Sequence, residues 1–126
     1  MKVLQGIDLI RIERIKKIYS KFQNKFLERI CSSREIEQIK KNEKNIPIRI
    51  AGKYASKEAA AKAVGLGFSN GIQFKDFEIL NNKIGKPEIK LRGEAKKQIN
   101  QIISSSVSIS HDGEYVISIV TFFSYE

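Results

Sequence analysis

Alanine occupies positions 51, 55, 59, 60, 61 and 63 of a stretch that closes on Gly65 and Gly67. A run of that composition has high intrinsic helix propensity, and terminal glycines supply the positive-φ turn that ends a helix. The stretch constrains the fold because a helix faced with methyl groups lets another backbone or a ligand come close. It also carries Lys53, Lys57, Glu58 and Lys62. Charges set among alanines have to be explained by whatever approaches them.

The chain has 126 residues, the length of one modest domain, and 29% of them are charged. That composition is typical of a globular protein rather than a disordered or fibrous one. No apolar run reaches membrane-spanning length, and no signal-peptide hydrophobic region is expected at the start. Cys31 is the single cysteine, so a disulfide framework is excluded and a reducing cytoplasm is the expected setting. The formal net charge of +9 points to an anionic partner, or to a merely solvated basic surface. Zinc-finger spacing, a phosphate-binding Walker loop and an aromatic RNA-binding motif are all missing from the sequence.

In chain order, residues Val3 to Ile10 form a short apolar run that predicts a buried strand interrupted by Asp8. That carboxylate is either a helix N-cap or a paired or metal-binding group, because an uncompensated charge in an apolar strand is costly. Ile12, Ile15 and Ile18 predict an amphipathic helix from Arg11 to about Tyr19. Arg11, Arg14, Lys16, Lys17, Lys21, Lys25 and Arg29 face only Glu13 and Glu28 there, with Phe22 and Phe26 interleaved. Ser32 and Glu35 have capping-box spacing and predict a helix to about Lys41. Pro47 suits the first turn of the long helix expected from about Ile48 to Val64. Residues 65–71 are turn-forming. Strands are predicted from Gln73 to Leu80 and from Glu88 to Leu91, joined by a turn ending in Gly85, Lys86 and Pro87. A short helix over Glu94 to Ile103 follows, then strands over Val107 to His111 and Tyr115 to Phe123 joined at Asp112 and Gly113. The layout is α+β, a mainly antiparallel sheet with one long and several short helices in a single domain over residues 1–126.

Asp8 and Glu58 come from different elements, and two such carboxylates suit a hard cation such as Mg²⁺, which also retains waters and substrate phosphate oxygens. Glu58 and Lys62 are four residues apart on one helix face, and spacing alone favours an ordinary surface ion pair between them. His111, the only histidine, is either a proton carrier, a phosphate contact or a plain turn residue.

Taken together the motifs resemble those of the small bacterial 4′-phosphopantetheinyl transferases that make holo acyl carrier protein. Gly6-Ile7-Asp8-Leu9-Ile10, Phe26 to Ile30, Ala51 to Ala59, Lys62-Ala63, Gly65 to Gly67, Gly85-Lys86-Pro87 and Ser108 to His111 stand in that family's order. The resemblance implies that family's fold and transfer of 4′-phosphopantetheine from coenzyme A to a serine of apo acyl carrier protein, in fatty acid biosynthesis. It implies Mg²⁺ on Asp8 and Glu58, catalysis by Glu58 and Lys62, and coenzyme A contacts from Lys53, Lys57, Gly85, Lys86, Pro87 and His111. The basic, aromatic surface of Arg14, Lys21, Phe22, Lys25, Phe26 and Arg29 is the expected docking face for the acidic carrier protein. A homotrimer with active sites between subunits is implied as well, with no nucleic-acid or membrane partner. Arg49 and Ile50 precede Ala51 where many relatives have Phe-Leu, and Lys53 stands where many have arginine, which keeps the charge but removes a bidentate fork. The competing reading from composition is a non-catalytic basic module that binds RNA or another polyanion.

Overall fold

A computed structural model describes residues 1–65 and 67–125. The elements run β1 (Lys2–Arg11), α1 (Ile12–Phe22), α2 (Asn24–Ile30), α3 (Ser33–Lys40), α4 (Ile46–Val64), β2 (Phe77–Asn81), β3 (Pro87–Leu91), α5 (Gly93–Gln98), β4 (Ile102–Asp112) and β5 (Tyr115–Ser124). Strands β1, β5 and β4 form one antiparallel sheet with β5 in the centre, and β2 and β3 form a hairpin. This is the expected α+β layout.

Helix α4 organises the rest, because it packs on both β1 and β5. Its residues Ile50, Ala51, Ala55, Ala59 and Ala60 have no exposed surface. The closest approach is at Gly6 on β1. A Cβ built there would lie 1.9 Å from the Ala59 carbonyl oxygen and 2.7 Å from the Ala63 nitrogen. Only a residue without a side chain lets the helix backbone rest on the strand. Below the helix the Ser56 hydroxyl meets the Ser118 hydroxyl at 2.8 Å and donates to the Gly52 carbonyl, so the buried hydroxyls are satisfied.

Two apolar clusters flank α4. Phe77, Ile79, Val107, Val120 and Phe122 gather on one side. Ile10, Ile15, Leu27, Ile30 and Ile50 gather on the other. Each fully buried side chain of this size contributes about 1.5–3 kcal/mol relative to exposure.

Several expectations are corrected. Strand β1 is not buried on both faces: Val3, Ile7 and Leu9 are 59%, 50% and 60% exposed. The helix expected to end near Tyr19 runs on to Phe22, where Gln23 at a φ of 50° stops it, and an unpredicted second helix, α2, follows directly. The strand predicted from Gln73 begins at Phe77, because Asp76 caps a single 3₁₀ turn over Phe74–Asp76. The helix predicted to Ile103 ends at Gln98, and Ile102 already belongs to β4. The capping box of Ser32 and Glu35 is present as expected, and Pro47 lies in the first turn of α4.

Candidate active site

Strand β1 and helix α4 bring the main candidates together. Asp8 lies two residues beyond the Gly6 contact, so its side chain emerges beside the C-terminal half of α4. Asp8 is not an N-cap; Arg11 holds that position for α1. The Lys62 ammonium donates to Asp8 Oδ1 at 3.0 Å and to the Ile7 carbonyl at 3.1 Å. This corrects the surface pair expected between Glu58 and Lys62: the ion pair of Lys62 within 4.0 Å is with Asp8. Helical spacing takes no account of the strand packed alongside.

Glu58 is half-buried next to them. Burial raises its carboxyl above the ordinary value, and the charge of Asp8 raises it further. A hydrogen-bonding interaction with Tyr54 and the charges of Lys62 and Arg14 oppose that rise. A carboxylate raised by burial and by the charge of a second carboxylate beside it suits a cation that both can share. Among the described residues no group of three or more His, Cys, Asp or Glu is assembled, so no all-protein cage exists. The two-carboxylate set fits Mg²⁺, which takes few protein ligands and completes its shell with water and phosphate oxygens. It does not fit a structural zinc site, which needs four ligands.

The remaining candidates are dispersed over the chain. Lys53 and His111 line one cleft with Gln38, Asn42, Lys44 and Arg49. Lys53 is only 7% exposed, and its ammonium donates to the Ile79 carbonyl at 2.5 Å. Burial lowers its pKa. Gly85 and Lys86 lie in the exposed turn between β2 and β3, half-buried Pro87 opens β3, and Lys86 and Pro87 line a separate hollow with Ser105 and Ser106. Lys57 departs furthest from expectation. It has no exposed surface, and its ammonium donates to Glu35 Oε1 at 2.8 Å, Phe77 O at 2.6 Å and Phe74 O at 3.1 Å. An ammonium has three donors, and all three point into the protein. Direct contact with a bound nucleotide is therefore replaced by an internal bond set.

The basic surface on α1 and α2 is organised around a groove of about 510 Å³ lined by Ile18, Phe22, Lys25, Phe26, Arg29, Tyr54 and Phe74. Arg14 stacks over the Tyr54 ring at 5.8 Å, and Lys21 lies over Phe22 at 5.3 Å. Phe26, 9% exposed, belongs to the groove wall and the core rather than the outer surface. Tyr54 escaped the sequence reading. Its spacing one turn before Glu58 was the available signal, since i and i+4 share a helix face. Glu35 was noticed only as half of a capping box, and its second task toward α4 has no local signature.

The arrangement defines a class: a small α+β protein whose paired carboxylates and lysine, at a strand–helix junction, can hold a hard cation against an anionic group. Comparison narrows the class. The 4′-phosphopantetheinyl transferase superfamily model matches residues 5–120. A holo-(acyl-carrier-protein) synthase from Campylobacter hominis is 45% identical over 116 residues, covering 91% of this chain and 93% of that protein. The crystal structure of the Helicobacter pylori holo-(acyl-carrier-protein) synthase in complex with coenzyme A superposes with a TM-score of 0.84 at 38% identity, covering 95% of this chain and 100% of that one. A Bacillus anthracis synthase structure in complex with coenzyme A (3′,5′-ADP) gives a TM-score of 0.79 at 33% identity, with 97% and 96% coverage. The chain belongs to the 4′-phosphopantetheinyl transferase superfamily.

Proposed function

We propose that the chain is a Mg²⁺-dependent holo-(acyl-carrier-protein) synthase, a single transferase domain that moves 4′-phosphopantetheine from coenzyme A to a serine of apo acyl carrier protein. The observation that carries this reading is the meeting of Asp8, Glu58 and Lys62 at the junction of β1 and α4, in a chain that belongs to this family. In the reaction the serine oxygen bonds to the phosphorus that bears the pantetheine arm. The bond from that phosphorus to the bridging oxygen breaks, and adenosine 3′,5′-bisphosphate leaves with the electron pair.

Asp8 and Glu58 would hold Mg²⁺, which when bound neutralises charge on the pyrophosphate. Lys62 then exchanges its contact with Asp8 for the leaving phosphate, which it stabilises or protonates. Glu58 accepts the serine proton, directly or through water. Lys53, His111, Gly85, Lys86 and Pro87 serve the nucleotide end, and Lys57 acts from inside the protein.

These groups are dispersed on one chain, which supports sites completed between subunits. The apolar outer face of the three-stranded sheet, with Val3, Ile7 and Leu9 exposed, is the surface through which a homotrimer would form. Arg14, Lys21, Phe22, Lys25 and Arg29, with Phe26 and Tyr54 in the groove wall, form the docking face for the acidic carrier protein. The buried, unpaired Cys31 is at home in the cytoplasm, where fatty acid synthesis supplies the carrier. No described helix is long and apolar enough to cross a membrane.

The test is mass spectrometry of apo acyl carrier protein incubated with coenzyme A, Mg²⁺ and the protein. The carrier should gain the mass of one phosphopantetheinyl group. No gain on a competent carrier would overturn the reading and favour a non-catalytic polyanion-binding module.

A further inference from the structure

Helix α4 carries a second polar system, on the side away from Asp8. The Glu35 carboxylate has no exposed surface. Its Oε1 accepts from Lys57 Nζ at 2.8 Å and from Ser32 N at 2.9 Å, and its Oε2 accepts from Ile79 N at 3.1 Å. Ser32 in turn donates through Oγ to Glu78 Oε2 at 2.6 Å, and Glu78 Oε1 accepts from Arg92 Nε at 2.8 Å. Lys53, one turn before Lys57, reaches the Ile79 carbonyl. A continuous polar chain thus ties α4 to the start of α3, to β2 and to the end of β3.

Stability alone does not account for it. Withdrawing two charges from water costs several kcal/mol, and apolar residues of similar volume often do as well or better. What such a pair supplies is direction. Apart from Ile50 and the single hydroxyl contact of Ser56 with Ser118, α4 packs through methyl groups and a bare glycine contact, and dispersion forces distinguish small rotations of so smooth a helix only weakly. The bonds of Lys57 to Glu35, Phe74 and Phe77 do distinguish them, because each fixes an angle as well as a distance. Glu58 is the next residue on the helix. A rotation of α4 that lengthened the Lys57 bonds would move Glu58 relative to Asp8 on the separate strand β1.

We propose that Glu35 and Lys57 are positioning residues: their buried pair sets the rotation and register of α4 and so the placement of Glu58 and Lys62 opposite Asp8. The inference rests on the transferase reading, and it replaces the nucleotide contact expected of Lys57.

The experiment compares the wild-type protein, Lys57→Met and the double variant Glu35→Leu/Lys57→Met. Thermal unfolding, coenzyme A binding by calorimetry, and kcat and KM for both substrates are measured below the melting temperature of each variant. Wild-type transfer must be observed first; its failure would remove the transferase reading and leave the pair unexplained. Positioning predicts that the double variant recovers most of the melting temperature lost in Lys57→Met. Its kcat should nevertheless stay at least about tenfold below wild type, with coenzyme A affinity and both KM values within about twofold. Recovery of kcat together with stability would overturn the proposal in favour of a purely structural pair. A rise of about tenfold or more in the coenzyme A dissociation constant with kcat kept would overturn it in favour of a ligand contact. If the double variant does not fold, Glu35→Gln serves in its place: kcat reduced with coenzyme A affinity kept supports positioning, and unchanged kcat contradicts it.

Discussion

Lys57 and Lys62 stand five residues apart on one helix and have the same side chain, yet they occupy opposite environments. The first has no exposed surface and three protein acceptors. The second is 56% exposed as a side chain and is held by Asp8 and one carbonyl. An ammonium whose donors are all taken in a dry interior fixes structure. One held at the rim by a single carboxylate can turn to an incoming phosphate. The difference follows from what packs on each side of α4, not from the lysines themselves.

The sharpest way to break the comparison is to shorten it to stability. Lys57→Met leaves Glu35 as an uncompensated buried charge and should cost about 3–5 kcal/mol. Lys62→Met, at the exposed end of its pair, should cost no more than about 1 kcal/mol, while lowering transfer by at least about 100-fold. Urea unfolding and carrier-protein assays on both variants check this. Equal stability losses would remove the distinction.

The next effect sharpens the separation between the α4 site and the basic groove. The double charge reversal Arg14→Glu/Lys25→Glu should raise KM for the carrier protein about tenfold, or about 1.4 kcal/mol. Coenzyme A affinity should be nearly unchanged, and the defect should shrink as salt rises. A comparable loss on both substrates in steady-state kinetics would merge the two regions.

The smallest effect concerns Cys31, which lies near Glu35, Lys57 and Lys53. Burial, helped by the charge of Glu35, pushes its thiol up to about 12 against the lowering influence of the lysines. The folded state therefore prefers the neutral thiol. Its contribution is full below the unfolded value near pH 9 and is lost as pH rises from there toward about 12. Between pH 8 and pH 10 the wild type should lose about 1 kcal/mol more than Cys31→Ala in urea unfolding. Parallel curves for the two proteins would contradict this.

Local chemistry made much of the fold legible. Alternation over Val107 to His111, the Asp112–Gly113 turn, the Ser32–Glu35 capping box and Pro47 each signal through nearest neighbours, and β4, β5, α3 and α4 stand where those signals point. The break at Gln23 was not legible, because glutamine at positive φ is an unfavourable choice that only tertiary packing enforces. Nor was the exposed face of β1, since a short apolar run reads the same whether one face of the strand or both are covered.

At the site, Asp8 was legible because a carboxylate in an apolar strand demands a partner. The partner itself was not, because Lys62 is brought to it by the Gly6–Ala59 contact between distant segments. Lys53 and Lys57 were read as contacts for coenzyme A, and their burial was not legible. Charge is ordinarily an exposure signal, and their burial depends on carbonyls of β2 and the turn before it.

The most direct measurement of the central claim is transfer by Glu58→Gln, assayed by carrier-protein mass beside the wild type at matched thermal stability. The account predicts that the wild type converts apo carrier protein completely. Glu58→Gln, with its fold and melting temperature kept, should fall to below about 1% of that rate, as loss of a metal ligand and base demands. Wild-type-like Mg²⁺-dependent transfer by Glu58→Gln would contradict the account and remove the β1–α4 junction as the active site.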